Sequence, residues 1–387
     1  MTKKILIVFG TRPEAIKLAP IIKEIKNQPT LKGIVCVFRQ HDEMLNQILK
    51  VFEIKPDYDL KITLSDKELF SKKINIFKKI KNLIISGISF LKFLRILKKE
   101  KPDILMIQGD TLTAFLAAFL AYHFKIKIAH IEAGLRTYDK YNPFPEEINR
   151  QLISRLADWH FAPTIQAKNN LLNEGIPDQK IFLTGNSAID TLLMVKEKIL
   201  NNEKEYEANF LKKYDIDFND KKIILVTAHR RESFGEGLKN IFSAIKEIAQ
   251  KRDDVKIIYP VHLNPNVYDL AHKLLKNISN LHLVDPLEYD EFVFLMNKSY
   301  LILTDSGGIQ EEAPSLKKPV LVMRDKTERQ EGIEAKVAKL IGRNKDEIVK
   351  ETFLLLDNSD IYLMMASGNN PYGDGKAAKR IIEVISS

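Results

Sequence analysis

The residues of this chain with chemical potential fall into a few groups, and most of them directly follow a short apolar run. GTRPEAIK follows KILIVF, GDT follows DILMIQ, Glu132 follows KIAHI, HRRESFG follows KKIILVTA, and DSGG follows YLILT. Arg12 and Lys17 lie on and just inside a helix start. Two cations at that place suit a diphosphate, which Arg can bind through two parallel hydrogen bonds. Ser306, Gly307 and Gly308 form a turn where backbone can approach an anion closely, and Glu312 one turn later could accept hydrogen bonds from a ribose. His229 is followed by Arg230 and Arg231, a setting for anions. Asp110, Glu132 and Glu146 supply carboxylates, and carboxylates close together can trade protons.

The stretch HIEAGLRTYDKYNPFPEEINR has Glu132 near one end and Glu146 and Glu147, after Pro145, near the other. The expectation is that these carboxylates flank one ligand while Arg136 and Arg150 orient or balance them. Glu146 is equally well placed as a helix N-terminal charge. His262 ends the run YPVH, where a ligand contact and structural packing are both open. The GDGKAA near the chain's end follows no strand, so it is no dinucleotide fingerprint, and there is no GxxxxGK[ST] loop. No His, Cys or carboxylate spacing points to a metal.

The elements that must carry these residues alternate. Apolar runs such as GIVCVF, KIFLTGN, VKIIYPVH, LHLVDP and VLVMRD are separated by helix-length segments such as PEAIKLAPIIKEIKN and EINRQLISRLAD. Runs rich in Ile, Val and Leu fit strands buried on both faces, and the alternation predicts parallel sheets with right-handed crossovers. The chain, at 387 residues, is long enough for two domains. The charged stretch NNEKEYEANFLKKYDIDFNDKK separates two such series. The predicted organisation is α/β: two doubly wound, Rossmann-like domains facing a cleft. They comprise residues 1–190, carrying the acid/base carboxylates, and residues 191–366, binding the anion. Residues 367–387 form a terminal helix packing back on the first domain. The basic, amphipathic segment 61–100 is read as a helical excursion packed on its own domain or on a second subunit, since Ile, Leu and Phe recur at helical spacing. A membrane-surface helix is the other reading.

Composition narrows the classes. Apolar content of 45% and charged content of 29% are ordinary for a globular protein. The single cysteine, Cys36, allows no disulfide framework, which fits a reducing cytoplasm. No apolar stretch reaches the roughly 18 residues of a transmembrane helix, so no membrane insertion is expected. The net charge of +9 suits an anionic ligand. No aromatic-basic motif, zinc finger or basic heptad array marks nucleic acid as that ligand.

The runs GTRPEAIKLAP, QGDT, HIEAGLRT, PEEINR, VTAHRRESFG, YPVHLNPNV and ILTDSGGIQEEAPSLKKPVLVMRDKTERQEG resemble the bacterial, non-hydrolysing UDP-N-acetylglucosamine 2-epimerases over nearly the whole chain. The resemblance implies the GT-B type of fold, shared with one large class of glycosyltransferases. It also implies interconversion of UDP-GlcNAc and UDP-ManNAc for polysaccharide synthesis in the cytoplasm, a homodimer, and neither nicotinamide nor metal. Matched motif by motif, Asp110, Glu132, Glu146 and His229 fall on catalytic positions. Arg12, Lys17, Leu287, Phe292, Ser306, Gly307, Gly308, Glu312 and Arg329 fall on nucleotide or substrate contacts. Leu287 stands where the family often carries Gln. Members are described as activated by UDP-GlcNAc in a second, adjacent pocket, and Gln40, Glu43, Glu146, Arg230 and His262 match positions reported for it. Asp42 stands where the family usually has a basic residue, and segment 61–100 is longer than usual.

Chemistry favours one route for such a reaction. The hydrogen at C2 is not adjacent to a carbonyl, so its direct removal leaves an unstabilised carbanion. Oxidation would need a nicotinamide, and its fingerprint is missing. Elimination of UDP to a 2-acetamidoglucal, then re-addition, needs neither. A UDP-sugar glycosyltransferase, or a 2-epimerase of a modified UDP-hexosamine, are the alternatives.

Overall fold

The computed structural model describes residues 2–39, 42–61 and 76–387; for 42–44, 61 and 76–86 it describes the backbone alone. The chain divides into two compact units, Met1–Thr191 with Gly373–Ser387, and Leu192–Tyr372.

The first unit holds seven strands: β1 (Lys3–Phe9), β2 (Leu31–Arg39), β3 (Tyr58–Lys61), β4 (Ile104–Gln108), β5 (Lys127–Ile131), β6 (Trp159–Ala162) and β7 (Ile181–Leu183). They pair in the order β3-β2-β1-β4-β5-β6-β7, every pair parallel. The second unit holds six: β8 (Lys222–Thr227), β9 (Val255–Pro260), β10 (Leu281–Val284), β11 (Leu301–Thr304), β12 (Val320–Val322) and β13 (Ala338–Leu340). Their order is β10-β9-β8-β11-β12-β13, again parallel throughout. The central strands are the apolar runs of the sequence. Ile5 to Phe9 are fully buried, as a strand covered by helices on both faces must be.

In each sheet the strand order reverses once, between β1 and β4 and between β8 and β11. Crossover helices leave in opposite directions at such a point, which opens a crevice beyond the carboxyl ends of those strands. Arg12, Lys17, Asp110, Glu132, His229, Arg230, Ser306, Gly307 and Gly308 follow these four strands and β5, while His262, Leu287 and Arg329 follow β9, β10 and β12.

Segment 61–100 is described from 76 onward by a helix, Ile76–Glu100. Its Phe93, Ile96 and Leu97 are buried with Leu6, Val8, Phe38 and Leu105. Burying a phenylalanine side chain fully contributes about 1.5–3 kcal/mol, so this end of the helix is an integral part of the first unit. Residues 62–75 lie outside the described residues. The terminal helix Ala377–Ser386 belongs to the first unit and packs on the helix Arg12–Lys26. Asp190 caps it, accepting from the backbone N–H groups of Ala378 at 2.8 Å and Ala377 at 3.2 Å. Among the described residues no helix is long and apolar enough to cross a membrane.

Candidate active site

In the first unit, one cluster is built on the turns after β1, β4 and β5. Thr11 begins the helix Arg12–Lys26, and Glu14 reaches back to its start. Glu14 Oε2 accepts from the Gly10 and Thr11 amides at 3.0 and 2.7 Å and from the Thr11 hydroxyl at 2.7 Å. Its Oε1 accepts from the Thr111 hydroxyl at 2.8 Å. One buried carboxylate therefore ties the GTRPE turn to the GDT turn. Burial raises the Glu14 carboxyl above the ordinary glutamate range, against the pull of these four donors. The GDT turn has a second anchor in His130 of β5, whose Nε2 meets the Gly109 carbonyl at 2.8 Å. A carbonyl only accepts, so Nε2 carries the hydrogen. Burial pushes the His130 pKa down to about 3, which keeps the ring neutral.

These anchors place Asp110. Its carboxylate is paired with Arg150, and its backbone carbonyl accepts from Asn149 Nδ2 at 2.9 Å. Burial raises the Asp110 pKa, Arg150 opposes it, and neighbouring Glu132 adds to the rise. Glu132 itself sits at φ 63°, in the left-handed region, where a residue with a side chain costs on the order of 1–3 kcal/mol. Its carboxylate is fixed in that conformation by an ion pair with Lys17 and a 3.0 Å bond from Gln108 Nε2. Asp110, Glu132, Lys17 and Arg150 thus form one alternating cluster of charge.

The loop between Glu132 and Glu146 is braced from within. Glu147, fully buried, accepts from the amides of Thr137 at 3.0 Å and Tyr138 at 3.2 Å, and lies 3.4 Å from Arg150. Gly134 runs so close to the helix Ile165–Asn173 that a Cβ would overlap the Ala167 carbonyl. Arg150 lies between Asp110 and Glu147, and Glu147, expected to flank a ligand, is instead fully buried within the loop. Arg136, expected to orient or balance the flanking carboxylates, is buried in a two-pronged pair with Glu174, at 2.6 and 2.8 Å, and serves the loop's packing. Glu146 opens the helix Glu146–Leu156, and its shielded Oε2 accepts no hydrogen bond among the described residues. Arg12 is half-buried at the helix start.

In the second unit, a separate cluster is built on the turns after β8 and β11. Asp305, fully buried, accepts the backbone N–H groups of both His229 and Arg230 on Oδ2, each at 2.7 Å. Its Oδ1 lies 3.4 Å from His229 Nδ1. The His262 ring is stacked on His229, with centroids 5.3 Å apart and planes 8° from parallel. Burial lowers the His229 pKa, Asp305 opposes this, and His262 and Arg230 reinforce it. Ser306 precedes the short helix Gly307–Glu312, and its amide donates to Thr304 Oγ1 at 2.9 Å. A Cβ on Gly307 would lie 3.2 Å from Arg329 Cζ and 3.4 Å from Arg230 Nη2. The glycine therefore lets two guanidinium groups close over the helix start. Arg329 is held by Glu311 and Glu328, both at 2.8 Å.

The structure thus brings Asp110, Glu132 and Lys17 together at the first switch point. It brings His229, Arg230, His262, Gly307 and Arg329 together at the second. Leu287 is buried and Phe292 half-buried at the start of the helix Tyr289–Lys298. Gln40 and the side chain of Glu43 lie outside the described residues. Glu14, Gln108 and Asp305 were not singled out in the sequence. Glu14 had a signal, the T-x-x-E of a capping box; the other two had none beyond ending a strand.

Comparison with known proteins gives one answer. Residues 23–386 match the family model described as UDP-N-acetylglucosamine 2-epimerase. The UDP-N-acetylglucosamine 2-epimerase of Campylobacter jejuni is 51% identical over all of this chain and 98% of that protein. The protein of that name from Escherichia coli K12 is 47% identical over 99% of this chain and 98% of its own length. A crystal structure of the Neisseria meningitidis UDP-GlcNAc 2-epimerase bound to UDP-GlcNAc superposes with a TM-score of 0.84, at 46% identity, covering 99% of both chains.

Proposed function

The chain belongs to the UDP-N-acetylglucosamine 2-epimerase family and is a non-hydrolysing isomerase with a Rossmann-like, GT-B type fold, and from that premise we propose how its residues carry the reaction. A base takes the C2 proton of UDP-GlcNAc while the C1–O bond breaks. The C–H electron pair becomes the C1=C2 bond of a 2-acetamidoglucal, and the C1–O pair leaves on the β-phosphate. Re-addition of UDP at C1, with protonation of C2 from the opposite face, gives UDP-ManNAc. Two faces of one carbon need at least two acid/base groups, which Asp110, Glu132 and Glu146 supply. Arg12, Arg329 and the Ser306–Gly308 turn, through the amides of Gly307 and Gly308, stabilise the departing diphosphate, with His229 neutralising its charge.

The observation that carries this reading is the Asp110–Glu132 pair. Two carboxylates sense one another at the end of neighbouring strands, one with a raised pKa and the other held in a strained backbone conformation. Each is balanced by its own cation, Arg150 or Lys17. The route is redox-neutral, so it calls for no nicotinamide, and charge is handled by side chains rather than a metal. By the same family resemblance we assign the enzyme to the cytoplasm as a homodimer. We also assign a second, activating UDP-GlcNAc to Arg230, His262 and Glu146 with Gln40 and Glu43.

The test is incubation with UDP-GlcNAc in deuterated water, with no acceptor and no nicotinamide. The expected products are UDP-ManNAc and both UDP-sugars deuterated at C2, with traces of 2-acetamidoglucal and UDP. Free ManNAc, or epimerisation that retains the C2 hydrogen, would refute the route.

A further inference from the structure

We propose that Asp305 is the positioning residue for His229, fixing the ring's tautomer and direction so that Nε2 is the nitrogen turned to the substrate. The inference deepens the reading of His229 as catalytic and rests on it. The two residues come from hydrogen-bonded neighbours. Thr304 of β11 is in register with Thr227 of β8, and the Asp305 amide donates to the Thr227 carbonyl at 3.1 Å. The β8 end is itself anchored by Tyr259, whose hydroxyl donates to the Ala228 carbonyl at 2.6 Å.

Asp305 divides its two oxygens. Oδ2 takes the backbone amides of His229 and Arg230 and so sets the course of the main chain. Oδ1 is buried, accepts no hydrogen bond among the described residues, and faces His229 Nδ1 at 3.4 Å. A buried carboxylate oxygen left without a donor costs stability, and a hydrogen on Nδ1 is the donor this geometry offers. Hydrogen bonds of this kind are often long in unliganded enzymes and shorten once substrate is bound. On the other face, the parallel His262 ring restricts rotation of the imidazole.

The groups facing His229 are therefore Asp305, His262 and Arg230. Of these, Asp305 alone favours the protonated ring; the others and burial oppose it. With Nδ1–H held toward Asp305, Nε2 is the nitrogen left to face the β-phosphate. The negative charge of the bound diphosphate offsets the factors that lower the ring's pKa, so the ring takes up a proton from solvent as the UDP-sugar binds and donates Nε2–H as the C1–O bond breaks.

The experiment compares Asp305→Asn, His229→Ala and the double variant in kcat and KM across a pH series, with thermal melting of each. Asparagine keeps an oxygen for the two amides but loses the charge. Asp305→Asn should then melt like the wild type and lose about a hundredfold in kcat with a smaller change in KM. Its high-pH limb should move to lower pH. In the His229→Ala background the same substitution should cost little. A full additional loss there, or an unmoved pH limb, overturns the proposal. Wild-type turnover by His229→Ala overturns the reading of His229 instead. Long-range 1H–15N NMR of the wild type needs no variant: a hydrogen on Nδ1 supports the proposal, and a neutral ring protonated on Nε2 alone refutes it.

Discussion

Replacing Asp110 with asparagine tests the carboxylate assignment most directly, because the structure separates its effect on rate from its effect on stability. The loss of a positioned base costs about 10²–10⁴ in rate, or about 3–5 kcal/mol of transition-state stabilisation at about 1.4 kcal/mol per tenfold. The fold should barely notice. Burial already disfavours the Asp110 charge, whose pKa is raised. A carboxyl with a raised folded-state pKa makes stability fall as pH rises from its ordinary value through the raised one, so removing the charge removes that loss. Arg150 keeps Glu147 at 3.4 Å as a partner. Asp110→Asn should therefore stay within about 1 kcal/mol of the wild type, or about 2–4 °C in Tm. The assay follows deuterium incorporation at C2 by NMR, begun separately from UDP-GlcNAc and from UDP-ManNAc. If Asp110 serves one face, exchange collapses from one epimer far more than from the other. Glu132→Gln is the control for the opposite face. Wild-type exchange from both epimers in Asp110→Asn would refute the argument, and a collapse in Tm would refute the separation of rate from stability.

Other consequences can be checked on the same enzyme. His130 holds its neutral form down to about pH 3 in the folded protein, whereas an unfolded histidine titrates near about 6.5. The unfolded chain then binds the extra proton first, so stability present above that range is lost as pH falls, at up to about 1.4 kcal/mol per pH unit. His130→Gln should lack this contribution, seen as a shallower fall of the urea midpoint with acid. Gly307→Ala places a methyl 3.2 Å from Arg329 Cζ and should raise KM for UDP-GlcNAc by roughly tenfold, the effect of about 1.4 kcal/mol of lost binding, with kcat little changed. An unaltered KM would detach the guanidinium pair from the diphosphate.

The sheets were legible where a strand is central and apolar, as in β1 or β8. The edge strands β3 and β13 and the short β6 carry YDLK, AKL and WHFA, and no apolar run announces them. Their pairing comes from neighbours already in place, which a local pattern does not contain. Strand ends were legible too, and since ligands gather beyond them, Asp110, Glu132, His229 and Ser306 could be singled out by position. Partners were harder. Nothing local distinguishes Arg136 from Arg150, although one is spent on Glu174 and the other on Asp110. Asp305 stood beside Ser306 in plain sight, but its importance arises only when β11 pairs with β8.

The last helix, Ala377–Ser386, belongs to the first unit although a whole second unit intervenes in the sequence. The first unit is thus built from two separate stretches of chain and the second from one, residues 192–372. A chain cut short after residue 372 would keep every described strand, yet leave the helix bearing Arg12 and Lys17 without the helix that packs on it.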